Sequence, residues 1–169
     1  VGLGMSYLRV PPVLEGEPDP ARVAHRVFGA PDWRARPPGP VLDVGGGWQA
    51  LHFLITGDPW DGGQPEADVV CGGRLLTEDG ADALGLDVIY LAADRVKPAA
   101  DHLAVTPFER VAGRFDPAAM AAAGVQGAGG LDDRDRDRVL LPAYAKLTRF
   151  FQDAAGGGEA VYKVMAPLP

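Results

Sequence analysis

Apolar positions along this chain fall in short runs whose period switches between two and about 3.6, the signatures of strand and helix. Met5 and Tyr7 alternate with smaller or polar neighbours, Leu3 extends the alternation, and Tyr7-Leu8-Arg9-Val10 is rich in strand formers. The pattern predicts a first strand that Pro11-Pro12 stops. Asp19-Pro20 then reads as a helix cap with proline at the first helical position, Val23 and Val27 on one face and Gly29 as the stop. His25 falls opposite that face and is expected to be exposed. Val41-Leu42-Asp43-Val44 reads as a buried strand leading into Gly45-Gly46-Gly47. After these glycines Trp48, Leu51 and Ile55 recur at i, i+3 and i+7, His52 shares their stripe, and Phe53 and Leu54 fill other faces. A helix apolar nearly all round is a buried helix. Gly57 ends it.

Asp58 to Gln64 is a polar, glycine-containing loop that carries Trp60. Ala67 to Cys71 and Leu86 to Leu91 read as further strands, and a helix follows from Ala93 to Leu103, where Pro98 is tolerable only near a first turn. Thr106-Pro107-Phe108-Glu109 has the form of a capping box, and Asp116-Pro117 opens a short helix through Met120 that Gly124 ends. Leu140, Tyr144, Leu147, Phe151 and Ala154 make an apolar stripe of helical period over 133 to 155, with Pro142 demanding a kink or a later start. Gly156-Gly157-Gly158 releases the chain into a last strand, Ala160 to Met165. Strands interleaved with helices predict one α/β domain over residues 1–169. The expected architecture is a three-layer sandwich, a mixed central sheet with helices on both faces.

Composition narrows the function classes. Acidic residues outnumber basic ones 23 to 16, for a net charge of −7. An acidic surface repels phosphate backbones, so nucleic acid is not expected as a partner. The one basic concentration, Arg22, Arg26, Arg34 and Arg36, is interrupted by Asp32 and reads as a solvated face. No apolar run approaches the ~20 residues of a spanning helix, and no basic segment precedes an apolar one at the start, so neither membrane nor export is expected. A single cysteine, Cys71, excludes an internal disulfide and suits a reducing cytoplasm. Within Val69-Val70-Cys71 it reads as a buried thiol.

Candidate chemistry is sparse. Val41-Leu42-Asp43-Val44-Gly45-Gly46-Gly47 is similar to the opening motif of S-adenosylmethionine-dependent methyltransferases, in which a strand ends beside glycines that let the backbone approach a cofactor. The match stops at Trp48 and Gln49, where a small residue or glycine belongs. Asp132-Asp133-Arg134-Asp135-Arg136-Asp137-Arg138 spaces acids as a calcium loop does, but the sixth and twelfth positions counted from Asp133 are Arg138 and Tyr144 instead of Gly and Glu. It reads as a solvated helix start, with Asp132–Arg136 and Asp135–Arg138 pairs. His25, His52 and His102 lack metal-ligand spacing, so no metal and no resident cofactor are expected. Ser6 is the sole serine and sits in a strand, which disfavours a serine nucleophile. Acid–base work by His52 with Asp43 or Asp58 is open in principle, against a packed core histidine.

Leu42-Asp43 followed by Trp48-Gln49-Ala50-Leu51-His52-Phe53-Leu54-Ile55-Thr56-Gly57 resembles the signature helix of the YfbM-like family, small bacterial proteins of unknown function. Gly4-Met5-Ser6-Tyr7-Leu8-Arg9-Val10-Pro11 is similar to that family's opening. Tyr90-Leu91, Arg114-Phe115-Asp116 with Met120, and Phe150-Phe151 stand in the family's order. The chain departs from the family at glycines 45 to 47, at the glycine-rich 124 to 130 and at Pro142. The resemblance implies an α/β fold with a mixed sheet and implies no reaction. The expectation is a non-catalytic cytoplasmic protein that binds a partner, another protein being the class considered, near Asp43, Trp48, His52, Asp58 and Trp60. The alternative is a small methyltransferase-like enzyme using the glycine turn.

Overall fold

The computed structural model describes residues 2–76 and 84–168. Its sheet has five strands in the order β2-β1-β5-β4-β3: β1 (Leu3–Val10), β2 (Val41–Gly45), β3 (Arg74–Leu75), β4 (Asp87–Leu91) and β5 (Ala160–Pro167). Every neighbouring pair is antiparallel, so the expected mixed sheet is corrected. The last strand of the chain enters the middle of the sheet. It pairs with β1 over eight residues, Leu3↔Pro167 to Val10↔Ala160, and its other edge pairs with β4. A mixed sheet would need at least one parallel pair, but the central pair joins opposite ends of the chain and, like its neighbours, runs antiparallel.

Alternation along the strands separates two cores. Met5 and Tyr7 of β1, Leu91 of β4 and Val161 of β5 face the larger one. There they meet α2 (Trp48–Thr56), α3 (Ala93–Val105), α4 (Phe108–Ala112), α5 (Pro117–Ala122) and α7 (Leu141–Gly156). Leu8, Val10, Val88, Tyr162 and Val164 point the other way, onto α1 (Pro20–Phe28) and Trp33. Phe28 and Trp33 meet edge to face there, ring centres 5.0 Å apart.

Local signals placed most helix ends. Asp19 caps α1 through the Ala21 amide, and His25 is exposed as expected. Gly57 closes α2 in the left-handed region at φ 83°, its amide bonding the Phe53 carbonyl at 2.7 Å. Asp116 accepts from the Ala118 and Ala119 amides at 3.1 Å and opens α5, which carries fully buried Met120. Asp116→Ala is expected to lower stability by about 1 kcal/mol, read as a shift of the urea midpoint at unchanged m-value. An unmoved midpoint would mean that water replaces the cap. Asp132 caps α6 (Asp133–Asp135) reciprocally with Asp135. A π turn over Arg136–Leu140 follows, in which Leu141 N–H reaches back to the Arg136 carbonyl, and Pro142 then stands at the start of α7. That wide turn is how the chain takes a proline inside one continuous helical path.

Several expectations are corrected. Val41–Gly45 is an exposed edge strand in which only Val44 is buried. Ala67 to Cys71 is no strand; Glu66–Val69 forms a 3-10 turn, although Val69 and Val70 are fully buried. Thr106 does not cap α4: its amide bonds the Leu103 carbonyl as the cap of α3, and Pro107 precedes the helix with no side-chain cap. Pro98 sits in the second turn of α3. Arg136 pairs with Asp133 at 3.1 Å and Asp137 at 2.8 Å, and not with Asp132. Arg22 and Arg26 of α1 pair with Glu17, Asp19 and Glu15 of the segment before the helix, and Arg36 pairs with Asp32, as a solvated face requires.

Candidate functional site

Four of the five residues singled out in the sequence stand along α2 and in the loop that folds back on it. Trp48 opens the helix, is 1% exposed, and donates its indole N–H to the Leu3 carbonyl of β1 at 2.9 Å. Trp60 reaches back from the loop after α2 and lies against it, ring centres 5.5 Å apart, with half of its own surface open to solvent. Asp58 fixes that loop. Its Oδ1 accepts the Trp60 and Asp61 amides at 2.8 Å each, and Thr56 Oγ1 accepts the Asp58 amide. The Asp61 and Trp60 amides hold the Asp58 carboxyl below its ordinary value.

His52, one turn after Trp48, is fully buried. Its Nε2 lies 2.9 Å from the Asp61 carbonyl, so Nε2 carries the proton and donates it, while Nδ1 is buried with no partner. Burial lowers its pKa first, the Asp61 carbonyl opposes that, and the Lys163 ammonium lowers it further. The imidazole is neutral, and it ties the loop to the helix.

Asp43 is elsewhere. It pairs with Ser6 across β1 and β2, and Ser6 shares the face of Leu8 and Val10, opposite the one that α2 covers. Its carboxylate accepts the Gly45 amide at 2.8 Å. The glycine turn beside it is partly open: Gly46 is exposed and a Cβ on Gly45 would meet nothing within 4 Å, while one on Gly46 would stand 3.2 Å from Leu168 Cδ1 and one on Gly47 3.4 Å from Leu140 Cδ2. The strand before the turn is an antiparallel edge strand, whereas a nucleoside cofactor in an open α/β sheet sits beyond the ends of parallel strands.

Beneath Trp60 the structure brings together Lys163, Tyr7, Cys71 and Asp68, which the sequence does not mark as a site. Lys163 of β5 is fully buried, and its ammonium donates to the Asp68 and Gly72 carbonyls at 2.6 Å each. Burial pushes its pKa down to about 7. Tyr7 donates its hydroxyl to the Val69 carbonyl at 2.9 Å. Cys71 is half-buried, and desolvation pushes its thiol up to about 12, so it holds its proton and is a poor nucleophile. Asp68, 2% exposed, is held by the Arg95 guanidinium with both oxygens engaged. Between Trp60, Cys71, Gly73, Leu75, Ile89 and Met165 lies a cavity of about 300 Å³. Among the described residues no three His, Cys, Asp or Glu side chains converge as metal ligands, and no helix is long and apolar enough to cross a membrane.

The sequence profile of a family described as "Domain of unknown function (DUF1877)" matches residues 18–163. The chain belongs to the DUF1877 family. Among solved structures, YfbM from Escherichia coli, itself a protein of unknown function, is similar in fold. It superposes at a TM-score of 0.67 over 96% of this chain and 99% of that one, at 13% identity. No curated protein matches in sequence. These likenesses carry the family and the fold, and no activity.

In this DUF1877 chain Lys163 was detectable in principle. It shares strand parity with Val161 and Met165, so the period of two places a lysine on an apolar face. Gln49 had a similar signal, a polar residue inside an apolar helix. Only 1% exposed, it accepts the Gln126 amide at 2.8 Å and donates to the Pro59 carbonyl at 3.3 Å. It thereby joins the glycine-rich segment 124 to 130 to the Trp60 loop. Tyr7 and Asp68 had no such signal, because their partners are backbone atoms or side chains distant in sequence.

Proposed function

We propose that this protein is a non-catalytic cytoplasmic binding protein, and that it holds an apolar or aromatic side chain of another protein against Trp60. The observation that supports the reading is Trp60 itself: a large ring kept half exposed by a hydrogen-bonded turn, backed by Trp48, at the rim of a cavity walled by Leu75, Ile89 and Met165. Rigid aromatic anchors beside a pocket are where binding energy concentrates in protein interfaces. The reaction-capable groups nearby are otherwise engaged: His52 braces the loop, Lys163 is fastened to two carbonyls, and Cys71 keeps its proton. A free thiol suits the reducing cytoplasm.

The test is a selection of displayed random peptides on the wild-type protein, with each enriched peptide then titrated against Trp60→Ala. Enriched peptides should carry an aromatic or aliphatic anchor and bind the variant roughly 30-fold more weakly or worse, the loss of a hot-spot residue. Peptides that bind both proteins equally, or turnover measured on any substrate, would count against the reading.

A further inference from the structure

We propose that the cleft on the other side of the 57–64 loop binds the anionic group, phosphate or carboxylate, of a small molecule. The cleft has a volume of about 610 Å³ and lies among the C-terminal end of α2, the end of α3, and α4. That size is within the range of small-molecule sites. Its charged lining is Arg110, Arg114, His102 and Glu66. Two guanidinium groups and an imidazole thus face one carboxylate, in a chain whose net charge is −7. A local reversal of sign inside a concave, low-dielectric wall focuses the field on an anion.

The two arginines are differently employed. Arg114 Nη1 donates to the Leu54 and Ile55 carbonyls at 2.8 and 3.3 Å, meeting the unsatisfied end of α2. That anchors the guanidinium at the cleft and leaves Nε and Nη2 to donate. The Arg110 side chain makes no hydrogen bond or ion pair with any described residue, and its five guanidinium donors are all available. Glu66, the one carboxylate of the lining among the described residues, is turned toward His102, with Oε1 3.9 Å from Nδ1. The Thr106 carbonyl at the cleft is occupied by the Tyr144 hydroxyl at 2.6 Å. The backbone oxygens of Leu54, Ile55 and Thr106 are therefore paired, and two guanidiniums against one carboxylate leave a net positive charge among the described lining, with Arg110 the guanidinium that has no partner. A planar guanidinium with an anchored neighbour is suited to the bidentate recognition of carboxylate or phosphate. This inference is independent of the reading at Trp60, since neither the tryptophan nor its cavity contributes a group to the cleft.

The experiment is titration calorimetry of the whole chain with inorganic phosphate and, separately, with succinate, at constant ionic strength. Saturable one-site binding of either is expected, weakened at least tenfold in Arg110→Ala and unchanged in Trp60→Ala. Tenfold corresponds to the ~1.4 kcal/mol at the low end of a charged hydrogen bond. Tighter phosphate would assign a phosphoryl ligand, and tighter succinate a carboxylate one. Because Arg110 is exposed and unpaired, its variant should unfold at the wild-type urea midpoint. Heat that fails to saturate with both anions, or saturable binding that Arg110→Ala leaves intact, would overturn the proposal. Loss of binding in Trp60→Ala would transfer the anion to the Trp60 cavity and equally overturn it.

Discussion

Trp48→Ala is expected to reduce the unfolding free energy by about 3–5 kcal/mol, the range for deleting a fully packed large aromatic. The indole is 1% exposed at the start of α2, and three separate losses follow its removal. Its apolar contacts in the larger core disappear, Trp60 loses the ring that backs it, and the Leu3 carbonyl loses its donor. Equilibrium urea unfolding measures the sum, and Trp48→Phe separates the terms. Phenylalanine keeps most of the buried area and forfeits the 2.9 Å hydrogen bond, so its deficit should be about 1–2 kcal/mol. If the alanine variant unfolded at the wild-type midpoint, the indole would not belong to the core, and the support for Trp60 would go with it.

Lys163→Met should give the second large effect, and one that depends on pH. The side chain is fully buried, and methionine preserves much of its volume. What it removes is the pair of 2.6 Å bonds that fasten the Asp68 and Gly72 carbonyls to the central strand. Two buried acceptors without donors should lower stability by roughly 2–5 kcal/mol. In the wild type the folded-state pKa is pushed from the ordinary 10.5 down to about 7. Between those values the unfolded chain binds a proton that the folded chain has released, so stability rises with pH across the window. Below about pH 7 both states are charged, and the penalty for burying the ammonium is fully present. Cys71 and Tyr7 shift in the opposite sense, and their effects begin only near their ordinary values of 9.0 and 10.0. From pH 7 to 9 the wild type should therefore gain stability that Lys163→Met does not, and the gap between them should narrow as pH falls toward 7. Parallel stability profiles for the two proteins would mean that the amine stays charged throughout, held so by its two carbonyls.

The contacts of Lys163 also explain why residues 67–71 read as a strand and fold as a turn. Val69-Val70-Cys71 has the composition of a buried strand, and both valines are indeed fully buried. A strand needs a neighbouring edge for its amides and carbonyls. Here the carbonyls of Asp68, Val69 and Gly72 are met by Lys163 and Tyr7, side chains 62 to 95 residues away in sequence. Hydrophobicity determined that the segment is inside, and distant donors determined that it turns. The Thr106-Pro107-Phe108-Glu109 motif failed for a related reason: Tyr144 takes the Thr106 carbonyl, and the threonine serves as the end of α3.

The candidate site divides in the same way. Trp48 and His52 were placed on one stripe of a buried helix by spacing alone, and that is where they stand. The Asp58 turn was legible as a polar loop, but its return onto Trp48 was not, since that depends on the Trp60 ring and the Asp61 carbonyl meeting α2. Asp43 is close in sequence to Trp48 and lies on the opposite face of the sheet, because strand parity, and not sequence distance, decides the face.

By itself the sequence determined where most helices start and stop, which helical stripes are buried, and the resemblance that names the family. Caps, prolines, glycines and periodicity act within a few residues, and local physics is sufficient for them. The tertiary structure alone decided that the C-terminal strand enters the middle of an antiparallel sheet, that a lysine and a tyrosine stand in for a missing strand neighbour, and that two arginines face a common cleft. Each of these depends on the closure of long loops and on partners far apart in the chain, whose pairing energy is realised only once the whole sheet has assembled.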